Sequence, residues 1–147
     1  MSDTQNLIEW TIRFLKHQDI IKKEIKEIVE NKDNVDLLIE YINKKMGVLI
    51  LPDLVEINKE LPKLKSFKKQ NDSCIVTLNK KENLNILIKT WDKISEFDKR
   101  FKLIFVNLDN DQKWIIFPWT HNLFSEKESL NMGLQSLFDS IGEMSSD

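Results

Sequence analysis

Two carboxylates stand two residues apart in the C-terminal half of the chain. Asp109 and Asp111 follow the apolar run LIFVNL at 103–108. An apolar strand that ends in Asp-x-Asp places both carboxylates at the carboxyl end of a sheet, where ligands of open α/β sheets bind. Two such groups, completed by waters and substrate phosphates, are enough to hold Mg²⁺. The spacing therefore raises the hypothesis of a magnesium-dependent phosphoryl-transfer or nuclease enzyme.

A short resemblance extends this hypothesis. The segment LIFVNLDND is similar to the acidic strand end of Toprim domains, the magnesium-dependent module of topoisomerases and primases. The resemblance covers only these few residues, and it implies that Glu56 supplies a third carboxylate. A nuclease variant of the hypothesis takes Asp111 and Lys113 as an Asp-x-Lys motif, with Asp53 or Asp98 as its acidic partner.

Turn chemistry explains the same residues without a metal. Asp and Asn tolerate the backbone geometry of tight turns. Residues 109–112 separate two strand-like runs, FKLIFVNL at 101–108 and KWIIFPW at 113–119. A link of about four or five residues between strands is a common hairpin loop. We therefore favour a hairpin loop at Asp109-Asn110-Asp111 over a metal site, and we expect no catalytic residue, metal or cofactor.

The elements around this loop define the expected fold. From Gly47 onward, short apolar runs at 48–51 and 74–78 alternate with stretches of helical spacing, before the two runs just described and a final helix. The predicted order is strand, helix, strand, helix, strand, strand, helix. Right-handed crossovers make the first three strands parallel, and the short link makes the fourth antiparallel. We predict an α/β domain over 47–147, with helices packed on a four-stranded mixed sheet.

The first 46 residues predict helices throughout. Apolar residues recur at helical spacing over 7–15, 21–29 and 35–42. Ser2 and Gln5 have the form of a capping box, and Gly47 follows a basic turn, as is common where helices end. We therefore expect a helical N-terminal region over 1–46 that forms one compact unit with the α/β domain. The closing residues 143–147 are expected to fray.

Composition excludes several classes of protein. Only three glycines are present, too few for a phosphate-binding loop, and two arginines make sequence-specific base recognition unfavourable. The longest apolar run is too short to span a membrane, and the N-terminus lacks the pattern of a secretory signal. One cysteine, Cys74, allows no internal disulfide. These features predict a cytoplasmic protein.

Two segments are candidates for binding. A lysine-rich segment at 59–69 combines positive charge with an aromatic ring, which suits non-specific binding of single-stranded nucleic acid. Its candidate residues are Lys63, Lys65, Phe67, Lys68 and Lys69. The aromatic hairpin and the residues after it offer a protein-binding surface through Trp114 or its neighbour Ile116, Trp119 and His121.

These observations favour a small cytoplasmic protein without enzymatic activity that binds another protein. Its binding surface is expected on the helical N-terminal region or on the aromatic hairpin. Nucleic-acid binding through the lysine segment is the alternative, and a magnesium enzyme built on Asp109 and Asp111 is the third.

Overall fold

A single mixed sheet organises the computed structural model, which describes residues 2–145. Its six strands are β1 Ile25–Lys32, β2 Val35–Tyr41, β3 Lys45–Ile50, β4 Asp72–Leu78, β5 Phe101–Asn107 and β6 Gln112–Ile116. The helices are α1 Asp3–Gln18, α2 Ile57–Glu60, α3 Lys81–Lys89, α4 Trp91–Ser95, α5 Pro118–Phe124 and α6 Lys127–Ile141. A 3₁₀ segment, Leu61–Phe67, continues α2.

The strands lie side by side in chain order, from β1 at one edge to β6 at the other. β1, β2 and β3 form an antiparallel meander. β3, β4 and β5 are parallel, and β6 runs antiparallel to β5. The predicted alternation of strands and helices from residue 47, with three parallel strands and an antiparallel fourth, is therefore confirmed. The sheet as a whole has six strands, whereas four were predicted.

The additional strands lie in the region predicted to be helical. The N-terminal helix is present, but the prediction is wrong beyond Gln18, because 25–41 form β1 and β2. These strands are rich in Ile and Val, whose branched side chains pack well on a pleated surface. Asp33 and Asn34 join them with φ angles of 56° and 67°. Positive φ at both positions is the geometry of a two-residue hairpin turn, which Asp and Asn tolerate.

The boundaries of α1 follow from its polar residues. The hydroxyl oxygen of Ser2 accepts a hydrogen bond from the Gln5 amide at 3.1 Å, so Ser2 caps the helix as predicted. After the helix, the Asp19 carboxylate accepts hydrogen bonds from the amides of Glu24 and Ile25, both at 2.9 Å. Asp19 thereby fixes the turn that leads the chain from α1 into the edge strand β1.

Helices cover both faces of the sheet. On one face, α1 packs through Leu7, Trp10 and Leu15 against the central strands. On the other face, α2, the 3₁₀ segment, α3, α4 and α6 form the larger core. Neighbouring residues Ile75 and Val76 of β4 point into opposite cores, as the two-residue period of a strand requires. The molecule is therefore a three-layer α/β/α arrangement.

The chain after α6 crosses the carboxyl edge of the parallel strands. Met144 is buried beneath the α1 side of the sheet, and its amide donates a hydrogen bond to the carbonyl of Asn79. Residues 143–145, which were expected to fray, are thus held by contacts, while 146 and 147 lie outside the described residues. None of the helices in the described part of the chain has the length and apolar content required to span a bilayer.

Candidate functional site

The carboxylates that could bind a metal lie in the loop between β5 and β6. Register pairing of Asn107 with Gln112 closes a hairpin around the intervening residues, so the predicted hairpin is confirmed. Two side chains shape the loop. Asn107 accepts a hydrogen bond from the Asp109 amide at 2.9 Å, and Asn110 accepts one from the Gln112 amide at 3.0 Å. Asp111 has a φ of 62°, a conformation that Asp tolerates in turns.

The two carboxylates of this loop bind different parts of the protein. Asp109 accepts a hydrogen bond from the Ser145 amide at 3.0 Å, and this bond lowers the pKa of Asp109. Asp111 accepts a hydrogen bond from the indole Nε1 of Trp10 at 2.7 Å and lies 3.5 Å from the guanidinium of Arg13. The loop therefore fastens the C-terminal residues with one carboxylate and α1 with the other.

The metal hypotheses also named Glu56, Asp53 and Asp98 as acidic partners. Glu56 precedes α2 and is exposed. Asp53 and Asp98 accept hydrogen bonds from backbone amides two residues further along the chain. Among residues 2–145, no group of three His, Cys, Asp or Glu side chains is placed to hold a metal ion.

The lysine-rich segment lies mostly on the 3₁₀ segment. Lys63 forms an ion pair with Glu60 at 2.5 Å, and the Lys68 Nζ lies 4.4 Å from the ring centre of Phe97. Lys65 and Lys69 are exposed.

Phe67, the aromatic residue of this segment, is only 4% exposed. A Cβ atom at Gly47 would lie 2.6 Å from the Phe67 ring, so the ring occupies space that only glycine leaves open. Stacking of a base on Phe67 would require the ring to leave the core.

Trp114 is a core residue of the aromatic hairpin. It is 5% exposed and stacks in parallel on Phe105, with 4.4 Å between ring centres. Its indole N–H donates a hydrogen bond to the Asn79 side-chain oxygen at 2.8 Å. The Asn79 amide group in turn donates to the carbonyls of Phe138 and Gly142. Trp114 therefore belongs to a buried network that joins the sheet to α6, and Ile116 is buried with it.

The exposed apolar residues of this region lie on and next to α5. Phe117 is 43% exposed, Trp119 39%, Leu123 67% and Phe124 84%. Trp119 and Leu123 are four residues apart and share one helix face. We call these four residues the α5 surface. Trp119 is the only one named as a site residue from the sequence, and the patch expected at Trp114 and Ile116 lies here instead.

His121 lies within α5, between the exposed residues and the core. Its ring meets the ring of Trp91 edge to face, with 5.7 Å between centres. Partial burial lowers the pKa of His121 below its usual value, because the charged imidazolium is poorly solvated there.

Cys74 is fully buried, and burial raises the pKa of its thiol to about 12. Lys102 lies near the Cys74 thiol, but its charge lowers the thiol pKa less than burial raises it. Among residues 2–145, neither His121 nor Cys74 belongs to a group of side chains that could hold a metal ion.

Two clefts border these regions. A polar cleft of about 370 Å³ opens beside the β1–β2 turn, and each charged residue that lines it has a partner. Asp36 accepts a hydrogen bond from the Ile50 amide, and Glu60 pairs with Lys63. A second cleft, of about 290 Å³, adjoins α5 and is lined by residues of α3, α4, α6 and the α5–α6 link.

Comparison of the chain with protein-family models, with curated proteins and with solved structures finds no match. The geometry of the molecule is therefore the basis for assigning a function. Sequence reasoning missed Phe117, Leu123 and Phe124 as surface residues. A pattern that indicates the exposure of the last two is their position at the end of a short helix, directly before the two-residue link 125–126.

Proposed function

We propose that this chain is a small non-enzymatic interaction module that binds a partner protein through the α5 surface. The observation that carries the proposal is the clustering of exposed apolar side chains. Nine large apolar side chains are exposed among the described residues, and four of them lie within 117–124. Single exposed apolar residues are normal, whereas a cluster marks a contact surface. Large aromatic residues, such as Trp119 and Phe124, dominate the energetics of protein interfaces.

The charges next to the α5 surface favour a protein over a membrane. The cleft beside α5 is lined by Lys89, Asp92, Glu126 and Lys127, so both signs of charge are present. Protein interfaces combine an apolar centre with a polar rim. An anionic membrane surface, in contrast, attracts clusters of lysine and arginine without acidic neighbours.

The proposal assigns no catalytic residue, metal or cofactor to the chain. It is supported by the hydrogen bonds of the two loop carboxylates: Asp109 accepts one from Ser145 near the C-terminus, and Asp111 accepts one from Trp10 of α1. It places the protein in the cytoplasm, a prediction that rests on the single buried Cys74.

The test compares two double variants in affinity capture from nuclease-treated lysate of the organism that encodes the chain. Trp119→Ser/Phe124→Ser removes the largest rings of the α5 surface. Ile21→Ser/Ile42→Ser is the control, because Ile21 is 91% exposed and Ile42 is also exposed, outside α5. We expect one protein to be retained in stoichiometric amount by the wild type and the control and to be lost from the α5 variant.

Two results would contradict the proposal. Retention of the same proteins by all three baits would mean that the α5 surface is not the binding site. Sedimentation of the pure protein as a dimer that dissociates only in the α5 variant would mean that this surface serves self-association.

A further inference from the structure

We infer that a second surface, formed by α1 and the β5–β6 pair, binds single-stranded nucleic acid. We call it the cation–aromatic face. Its residues are Arg13, Phe14, His17, Lys102, Lys113 and Phe117. This inference does not depend on the proposed function, because it uses other residues except for Phe117, which lies at the border of the two surfaces.

The strand register brings the two lysines to one face of the sheet. Lys113 pairs with Val106, whose side chain lies in the core on the α1 side. Lys102 lies four residues before Val106 on β5, so its side chain projects from the same face. At about 3.3 Å per residue, the two lysines are about 13 Å apart along the strand. They therefore mark a line on which several phosphates of an extended strand would fit.

Each lysine lies over an aromatic ring and lacks an acidic partner. The Nζ of Lys113 is 5.0 Å from the ring centre of Phe14, and the Nζ of Lys102 is 5.9 Å from that of Phe117. Within residues 2–145, neither ammonium group forms a salt bridge. Both charges are thus available to an incoming anion.

A cleft of about 330 Å³ lies between α1 and β6 at one end of this face. Its lining includes Arg13, Phe14, His17, Lys113 and Asp111. Asp111 is the only carboxylate among these residues, and its 3.5 Å ion pair with Arg13 is exposed on both sides. Exposed ion pairs of this kind are weak, so a phosphate can compete for Arg13. At the other end of the face, Lys102 lines a cleft in which three lysines and three acids balance: Lys22, Lys44 and Lys102 against Asp19, Glu24 and Asp72. Arg13 and Lys113 against Asp111 leave the face with one net positive charge, although the whole chain has a formal net charge of -2.

The alternation of cations and rings identifies the ligand. Single-stranded nucleic acid presents phosphates, which cations neutralise, and flat bases, which stack on aromatic side chains. Phe14 has the Lys113 ammonium group 5.0 Å from its ring centre and stacks on Trp10, with 5.0 Å between the ring centres. When the flexible lysine moves to a phosphate, the part of the ring that it covers opens to a base. An acidic peptide would engage the cations but would leave the rings without partners.

The test measures binding of the whole chain to a fluorescent oligothymidine of about 12 nucleotides by anisotropy. An abasic oligonucleotide of the same length and polyglutamate serve as competitors. Lys102→Gln/Lys113→Gln removes the two charges of the cation–aromatic face. The control is Lys59→Gln/Lys65→Gln, which makes the same change in net charge at two exposed lysines outside this face.

We expect the oligothymidine to bind and both competitors to displace it poorly. Each phosphate contact to a single strand contributes about 0.7 to the slope of log K against log salt, so the Lys102/Lys113 variant should lower that slope by about 1.4. The control should retain the wild-type slope. Phe14→Leu should weaken binding while leaving the slope unchanged, since the ring neutralises no phosphate.

Three results would overturn the inference. Absence of binding at low salt is one. Equal displacement by polyglutamate or by the abasic strand would show that the face attracts anions without recognising bases. An equal loss in the control would place the binding on the lysine segment. Thermal melting of every variant confirms that each is folded when it is measured.

Discussion

The loop between β5 and β6 and the helix that follows β6 use their side chains in opposite ways. In the loop, Asp109 and Asp111 have residue types that suit chemistry, but one oxygen of each carboxylate accepts a hydrogen bond from another part of the protein, from Ser145 and Trp10 respectively. In α5, Trp119 and Phe124 have residue types that suit a core, but they lie exposed. The loop carboxylates therefore hold parts of the fold together, whereas the exposed side chains of α5 remain available to a partner protein.

The largest expected effect on stability distinguishes Trp114 from Trp119, two tryptophans that are five residues apart. Trp114→Ala should lower the free energy of unfolding by about 3 to 5 kcal/mol, because it empties a buried site and leaves Asn79 without its indole donor. Trp119→Ala should lower it by about 1 kcal/mol or less, because the side chain is partly exposed. Urea denaturation of both variants provides the measurement.

The same two variants separate stability from binding. Trp119→Ala should reduce capture of the partner protein although the variant remains folded, with the small loss of stability given above. A loss of stability in Trp119→Ala as large as that in Trp114→Ala would show that Trp119 is a core residue, and the α5 surface would then lose its central ring.

A smaller effect is expected at the loop. Asp111→Ala removes the acceptor of the Trp10 indole N–H, and a buried donor without a partner costs about 1 to 3 kcal/mol. Asp111→Asn keeps an acceptor oxygen and a residue type that tolerates positive φ, so only the exposed pair with Arg13 is lost. That loss should be below about 1 kcal/mol. Chemical denaturation of both variants measures the difference.

Addition of Mg²⁺ tests whether Asp111 stabilises the loop through its hydrogen bond or by holding a metal ion. With Asp109 and Asp111 bound to separate partners, Mg²⁺ should leave the melting temperature of the wild type unchanged. A rise that disappears in Asp111→Asn would instead reveal a metal site in the loop, since a ligand that binds only the folded state stabilises it.

The fold was predictable where local patterns agree with tertiary structure. From Gly47 onward, apolar runs bounded by turn residues correspond to β3, β4, β5 and β6. In β1, a bulge between Ile25 and Glu27 breaks the two-residue alternation of a strand. The apolar residues Ile25, Ile28 and Val29 are consequently spaced like one face of a helix. Only the turn residues at 31–34 indicated a hairpin there.

The candidate site was less predictable, because the exposure of a ring is decided by distant residues. Phe67 is buried because Gly47 leaves room for it, and Trp114 is buried because α6 and Asn79 cover it. Neither contact can be inferred from spacing along the chain. Trp119, in contrast, follows Pro118 at the start of a short helix and is 39% exposed.

The smallest effect concerns His121, the titratable residue within α5. Partial burial lowers its pKa from 6.5, so the unfolded chain binds a proton more readily than the folded chain. The free energy of unfolding should therefore be highest above this pH and decrease as the pH falls through about 6.5. His121→Gln cannot titrate in this range, so denaturation midpoints at a series of pH values should fall less steeply for the variant. If the denaturation midpoints of the wild type and of His121→Gln change with pH in parallel, the imidazole is fully solvated and the prediction is wrong. A partner that covers α5 would bury the imidazole further, so its binding should weaken in acid.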